Sequence, residues 1–300
     1  MKVVLAGCEN WYFAELALLA GCKNILFSYH YMKDKPQKEY DKFFDLLTND
    51  IEVICDSGLF TLMFGAGKGA THSLSSMTAY TKSYIDFSKK YPHKNLTIVE
   101  ADVHKLLGMP AVYELRKHFE NSGMRVLYTW HIEEGIEGLY KLAEKYDYVA
   151  LSVPELRILF KGKGRYQDGV LDLLNKIKRN VKKIPKIHLL GNTVQETMET
   201  NLAYSCDSTS WLSGCRYGRF ARYENGKIKM AALNGKEFEA GIHILRDHFK
   251  DSYEEIMKYK DKGDKQILYK ITAYLSAFAY VQYQHWLNKN YKFEGESEWK

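Results

Sequence analysis

Asp56, Asp102 and Asp207 each stand at the end of a short strand-like run in a 300-residue chain. One acidic residue in that position commonly caps the following helix. Three that converge on one rim point elsewhere: two carboxylates sharing a pocket can divide labour, one staying ionised to attack while the other carries protons, the arrangement used in glycosyl transfer. The neighbouring run ends are polar as well. They read Cys55-Asp56-Ser57-Gly58-Leu59-Phe60, Glu100-Ala101-Asp102, Trp130-His131-Ile132-Glu133-Glu134, Ser152-Val153-Pro154-Glu155, Leu190-Gly191-Asn192-Thr193 and Cys206-Asp207-Ser208-Thr209-Ser210.

Eight such runs can be counted: Lys2–Ala6, Asn24–Tyr29, Glu52–Cys55, Leu96–Glu100, Arg125–Thr129, Tyr148–Ser152, Lys186–Leu190 and Ser205–Ser208. Helical patterns alternate with them at Tyr12–Leu19, Gln37–Leu47, Met77–Lys90, Ala111–Asn121, Ile136–Tyr146, Gly169–Lys182 and Val194–Leu202. This alternation predicts an α/β fold, a (β/α)8 TIM barrel over residues 1–220 with its functional groups at the C-terminal strand ends. An open doubly wound sheet is the alternative. Residues 221–300 read as an extension packed on the barrel. Ala221–Leu233 forms a hairpin around Asn225-Gly226, followed by helices at Lys236–Lys260 and Lys265–Lys289. The aromatic stripe of the last helix (Tyr269, Tyr274, Phe278, Tyr280, Tyr283, Trp286) reads as packing, not as a base-stacking platform.

Asp56-Ser57-Gly58-x-Phe60 resembles the Asp-Ser-Gly-Gly-Phe-Gln motif of the tRNA-guanine transglycosylases, (β/α)8 barrels that exchange guanine for a 7-deazaguanine. Val99-Glu100-Ala101-Asp102, Tyr128-Thr129-Trp130-His131, Val149-Ala150-Leu151-Ser152, His188-Leu189-Leu190-Gly191 and Ser205-Cys206-Asp207-Ser208 follow in that family's order, so the similarity covers about residues 50 to 222. The resemblance implies that Asp207 is the nucleophile and Asp56 the proton carrier. It further implies that Asp102 reads the Watson–Crick edge of the base, that His131 and Gly191 add hydrogen bonds, and that Phe60 and Leu190 sandwich the ring, with Ser57, Ser152 and Val153 completing the base pocket.

The departures carry information too. Leu59 and Thr61 replace the motif's second Gly and its Gln, and His131 stands where the family usually has Gln. The family's tRNA enzymes carry a CxCxxC…His zinc site beyond the barrel, whereas no cysteine follows Cys215 here; that site cannot form, and no metal is expected. His104 and His188 read as structural, not as metal ligands. A short chain of this kind is similar to the phage and bacterial branch that inserts deazaguanines into DNA. The expected substrates are therefore DNA and a free 7-deazaguanine of the preQ0 type, with no further cofactor. A tRNA substrate and a non-catalytic nucleic-acid-binding barrel are the alternatives, the latter disfavoured because a pure binder has no use for paired carboxylates facing a polyanion.

Arg216, Arg219 and Arg222, interleaved with aromatic residues directly after Asp207, suit phosphate clamping near a flipped nucleotide. Lys161, Lys163 and Arg165 form a second basic segment. Lys68 and His72 belong to a Gly-rich stretch whose spacing fails the phosphate-loop pattern, so it reads as an active-site loop. The net charge of +6 favours a polyanionic partner only mildly. Five scattered cysteines without a CxxC pair argue against a disulfide framework and for a reducing compartment, hence a cytoplasmic location. Neither Leu5-Ala6-Gly7-Cys8 nor Leu19-Ala20-Gly21-Cys22 follows an apolar stretch long enough for a lipoprotein signal, and no run spans a bilayer.

Overall fold

In the computed structural model the eight predicted runs close into one parallel barrel in the order β1 to β8. The structure describes residues 1–59, 72–91, 93–192, 194–232, 246 and 265–295. The strands are β1 (Lys2–Ala6), β2 (Asn24–Ser28), β3 (Glu52–Asp56), β4 (Leu96–Val99), β5 (Arg125–Trp130), β6 (Tyr148–Ser152), β7 (Lys186–Leu190) and β8 (Ser205–Ser208). Closure is made where β1 pairs with β8, Val4 lying opposite Asp207. The open-sheet alternative is thereby excluded.

Strand alternation sorts the side chains into two layers. Val4, Leu26, Ile54, Val99, Leu127 and Ala150 fill the barrel interior. Val3, Ile25, Val53, Ile98, Val126 and Val149, one residue earlier on each strand, meet the surrounding helices instead. Two residues further along, the interior parity delivers Ser28, Asp56, Ser152 and Leu190 to the C-terminal mouth, and it does the same for Asp207 two residues after Ser205. The site is thus a direct consequence of strand register.

Helices at Trp11–Leu19, Gln37–Asp45, Leu74–Lys90, Met109–Glu120, Gly135–Lys145 and Tyr166–Asn180 occupy the predicted positions. The helix expected over Val194–Leu202 is only one turn, Gln195–Met198. Thr200 ends it by turning the chain toward β8, its Oγ1 accepting from the Leu202 N–H at 3.2 Å. The hairpin of β9 (Arg219–Glu224) and β10 (Lys227–Ala232) pivots on Asn225 and Gly226, both at positive φ, as a tight Asn-Gly turn requires. The helix expected at Lys236–Lys260 lies outside the described residues, apart from Arg246, which is helical.

The helix Lys265–Asn290 packs on β1, on Trp11–Leu19 and on β9. It takes the place of the eighth helix of the ring, between β8 and β1. Gln284 Oε1 accepts from the Val3 N–H at 2.6 Å and from Asn24 Nδ2 at 3.2 Å, which fixes that placement. Tyr274 and Tyr283 are buried, so the aromatic stripe is core packing. No helix among the described residues is long and apolar enough to cross a membrane.

Candidate active site

A cavity of about 400 Å3 opens at the C-terminal mouth, within the size range of small-molecule sites. Asp56, Ser57, Asp102, Ser152, Leu190, Gly191 and Asp207 line it, as expected. Glu9, Ser28, Tyr31, Thr129 and Pro154 also line it and were not expected.

Asp207, with 8% of its surface exposed, is anchored from beneath the cavity. Its Oδ1 accepts from the Gly191 N–H at 3.1 Å and faces His188 Nε2 at 3.0 Å. The other nitrogen of His188 contacts Ser205 Oγ at 2.7 Å, and Ser205 Oγ contacts the Tyr148 hydroxyl at 2.6 Å. Every member of this chain points into the barrel beneath the cavity. Both contacts to the carboxylate fall on Oδ1; among the described residues, Oδ2 makes none. A positioned carboxylate with one free oxygen is the form a nucleophile needs. Gly191, at φ +64°, supplies its N–H from a left-handed conformation with Pro154 close by, so a side chain there would be strained.

Asp56 is held differently. Its Oδ2 accepts from the Gly58 N–H at 3.0 Å in a tight Asp-Ser-Gly turn. Gly58 sits at φ +75°, and a Cβ there would collide with His30 and Ser28, which explains the glycine two residues after Asp56. Ser57 is 2% exposed, and its carbonyl accepts from the Tyr80 hydroxyl at 2.6 Å. Burial pushes the Asp56 carboxyl up to about 7; the Gly58 N–H opposes the rise, and the charges of Asp207 and Asp102 add to it. Asp56 can therefore both give and take a proton near neutrality.

Asp102 reaches the cavity with a histidine behind it. Its Oδ1 hydrogen-bonds to His104 Nδ1 and lies 3.5 Å from His131 Nδ1. His104 Nε2 is 2.8 Å from Glu155 Oε1. Burial opposes charge on His104, but Asp102 and Glu155 outweigh it and push its value up to about 9. Burial raises the Asp102 carboxyl, against the pull of His104. His131 is pressed down to about 2 by burial and by the charge of His104. One donor atom from each of Asp102, His104 and His131 lies within 4.8 Å of the others.

The floor beside Asp102 is braced by buried charge. Arg116 Nε donates to Glu100 Oε1 at 2.6 Å, and other nitrogens of its guanidinium reach Glu134 Oε1 and the Thr129 carbonyl at 3.2 Å. The second oxygen of Glu100 accepts from the Thr129 N–H at 3.1 Å. Removing Arg116 would leave Glu100 buried without its counter-charge and its hydrogen-bond donor. Arg116→Ala is accordingly expected to cost about 3–5 kcal/mol of stability in chemical denaturation, with part of the loss recovered in a Glu100→Gln/Arg116→Met double variant.

Several expected site residues are not at the cavity. His131 is fully buried, set behind Asp102 and His104, so it does not face a ligand directly. Val153 follows Ser152 as the first residue of a short helix, Val153–Leu159, and is fully buried in the helix layer. Phe60 and Lys68 lie outside the described residues. His72 is half-buried just before the helix Leu74–Lys90. Lys161, Lys163 and Arg165 are exposed on the connection after β6, Arg165 pairing with Glu196 at 3.1 Å. Arg216 and Arg219 are exposed after β8, but Arg222 is paired with Glu224 at 2.9 Å and is not a free phosphate ligand. The five cysteines are buried and unpaired.

His188 and the His104–Glu155 pair were missed as working parts of the site. Parity was the available signal for His188, since it shares the inward face of β7 with Leu190. No local pattern marks His104 and Glu155, which meet only because the ends of β4 and β6 converge.

Fold and cavity together define a (β/α)8 barrel with a carboxylate-rich cavity at the C-terminal face of its strands. Neither a family model nor a curated protein sequence matches the chain.

Proposed function

We propose that the protein is a base-exchange glycosyltransferase that replaces guanine in DNA by a 7-deazaguanine through a covalent Asp207-glycosyl intermediate. The observation that carries this reading is the pairing, in one cavity, of an anchored carboxylate whose second oxygen has no partner among the described residues with a second carboxyl tuned to about 7. The order of the motifs resembling the transglycosylases adds to it. The choice of DNA over tRNA rests on that resemblance alone.

Asp207 Oδ2 attacks C1′ of a flipped deoxyguanosine, and the electron pair of the C1′–N9 bond leaves with guanine, which takes a proton from Asp56. The incoming 7-deazaguanine then gives its N9 proton to Asp56, its N9 attacks C1′, and the Asp207 ester breaks. Two inversions give net retention. The carboxylates lining the cavity stabilise the positive charge that develops on the sugar in each step. Asp102 accepts hydrogen bonds from the N1–H and amino group of the base, the N–H of Gly191 is shared with Asp207, and Leu190 covers a ring face. Tyr31, 49% exposed at the cavity, is placed to cover the ring as well.

The direct test is to incubate the protein with isotopically labelled guanine or preQ0 and with either duplex DNA or tRNA, followed by nucleoside mass spectrometry. Label in deoxynucleosides is expected. Label confined to RNA would overturn the choice of polymer, and label in neither would overturn the reaction.

The cavity is acidic, so phosphates must be held outside it. Lys161, Lys163, Arg216 and Arg219 are exposed on connections at the same end of the barrel. Arg216→Ala/Arg219→Ala is expected to lower the log–log salt slope of DNA binding by about 2, close to one unit per lost phosphate contact. Adding Arg222→Ala should change the slope little, because that side chain is already engaged by Glu224.

A further inference from the structure

We propose that Asp102, His104 and His131 form a binding site for a first-row divalent metal ion, set behind the cavity wall and built without cysteine. Two observations carry it. The first is the cluster itself: one carboxylate and two imidazoles with donor atoms within 4.8 Å of one another. Donors bound to one ion at about 2.1 Å lie about 3.4 Å apart in tetrahedral geometry, and Asp102 Oδ1 is 3.5 Å from His131 Nδ1.

The second is His131. Its side chain is 1% exposed, and neither ring nitrogen has a hydrogen-bond partner among the described residues. A buried imidazole left so costs the desolvation of both nitrogens, and native interiors satisfy such groups or use them. Nδ1 lies 3.5 Å from Asp102 Oδ1 without a hydrogen bond between them, and a metal ion held by both would satisfy it.

His104 has the surroundings of a metal-bound imidazole. Its Nε2 faces Glu155 Oε1 at 2.8 Å, the outer carboxylate that commonly fixes the tautomer and orientation of a ligating histidine. That leaves Nδ1 for the ion. The ion enters by replacing the hydrogen bond between His104 Nδ1 and Asp102 Oδ1. Its path lies past Asp102, whose side chain is 18% exposed, whereas His104 and His131 are closed to solvent at 1% each. Both histidines approach Oδ1, so Oδ2 of Asp102 stays available to the cavity. Two nitrogen donors with one oxygen suit zinc, cobalt or iron(II) better than magnesium or calcium.

The test uses tag-free full-length protein, stripped with a chelator and titrated with Co2+, and it reads no turnover, so it stands or falls apart from base exchange. One equivalent of Co2+ is expected to bind with visible d–d absorption and no thiolate charge-transfer band, and to be displaced by Zn2+. His131→Gln and Asp102→Asn should each weaken binding by at least ~10-fold, with Glu155→Gln weakening it less. Wild-type protein that takes up no Co2+ or Zn2+ overturns the proposal without recourse to any variant. So does a His131→Gln protein with wild-type spectrum and affinity, or a spectrum showing sulfur ligation.

Discussion

Asp207→Asn is expected to lower base exchange by at least about 10^4-fold while leaving the fold intact, since the amide cannot form the glycosyl ester. Asn keeps an oxygen to accept from the Gly191 N–H and a similar volume beside His188, so the thermal midpoint should move little. Wild-type enzyme quenched with acid during turnover should carry a covalent nucleic-acid adduct of one strand per chain, visible by intact mass, and the Asn variant should carry none. A variant retaining a hundredth of wild-type turnover would remove Asp207 from the nucleophile's role. His188→Gln offers a graded comparison: it keeps a hydrogen-bonding group under Asp207 and should slow exchange far less than loss of the carboxylate.

Asp56 governs the pH dependence, and its two duties predict opposite limbs. With the carboxyl pushed up to about 7, guanine departure, which needs the proton present, should slow as pH rises above about 7. Capture of the incoming base needs the proton absent and should slow as pH falls below about 7. Single-turnover formation and decay of the adduct would separate the two. Asp56→Asn should remove both limbs and reduce each step by about 10^2–10^4-fold. Stability carries the same signature. The folded carboxyl holds its proton at pH values where the unfolded one has lost it, so stability is fully present below the ordinary aspartate range and declines as pH rises toward about 7. Asp56→Asn should abolish that decline, giving a higher melting temperature than wild type at pH 8 and a similar one at pH 4.

The barrel was legible because each strand is a short local pattern and eight of them alternate with helices. Asp56, Ser57, Ser152, Leu190, Gly191 and Asp207 were legible for the same reason: a strand end is a local position, and the fold brings all such ends to one rim. Val153 shows the limit of that reasoning, since the residue after a strand end can open the next helix and pack its side chain away from the mouth. The ends of β1 and β2 were passed over, although Glu9, Ser28 and Tyr31 line the cavity; Glu9 and Tyr31 stand three residues beyond their strands, where strand parity no longer says which way a side chain points. His131 was placed correctly at a strand end but one layer too far forward. Its burial is decided by His104 and Asp102, which come from another strand, and no property of residues 125–134 contains that information.

The junction between the first strand and the last helix sets an order on assembly. Met1 and Val3 find hydrogen-bond partners in Asn288 and Gln284, 287 and 281 positions away. During synthesis β1 can pair with β2 as soon as both have emerged and with β8 once residue 208 has, but its outer face stays uncovered until residues 265–290 have followed. Until then Val3, Leu5, Ala14 and Ala17 present an apolar flank to water. Ribosome stalling before residue 265 would therefore trap the chain with its ring one helix short.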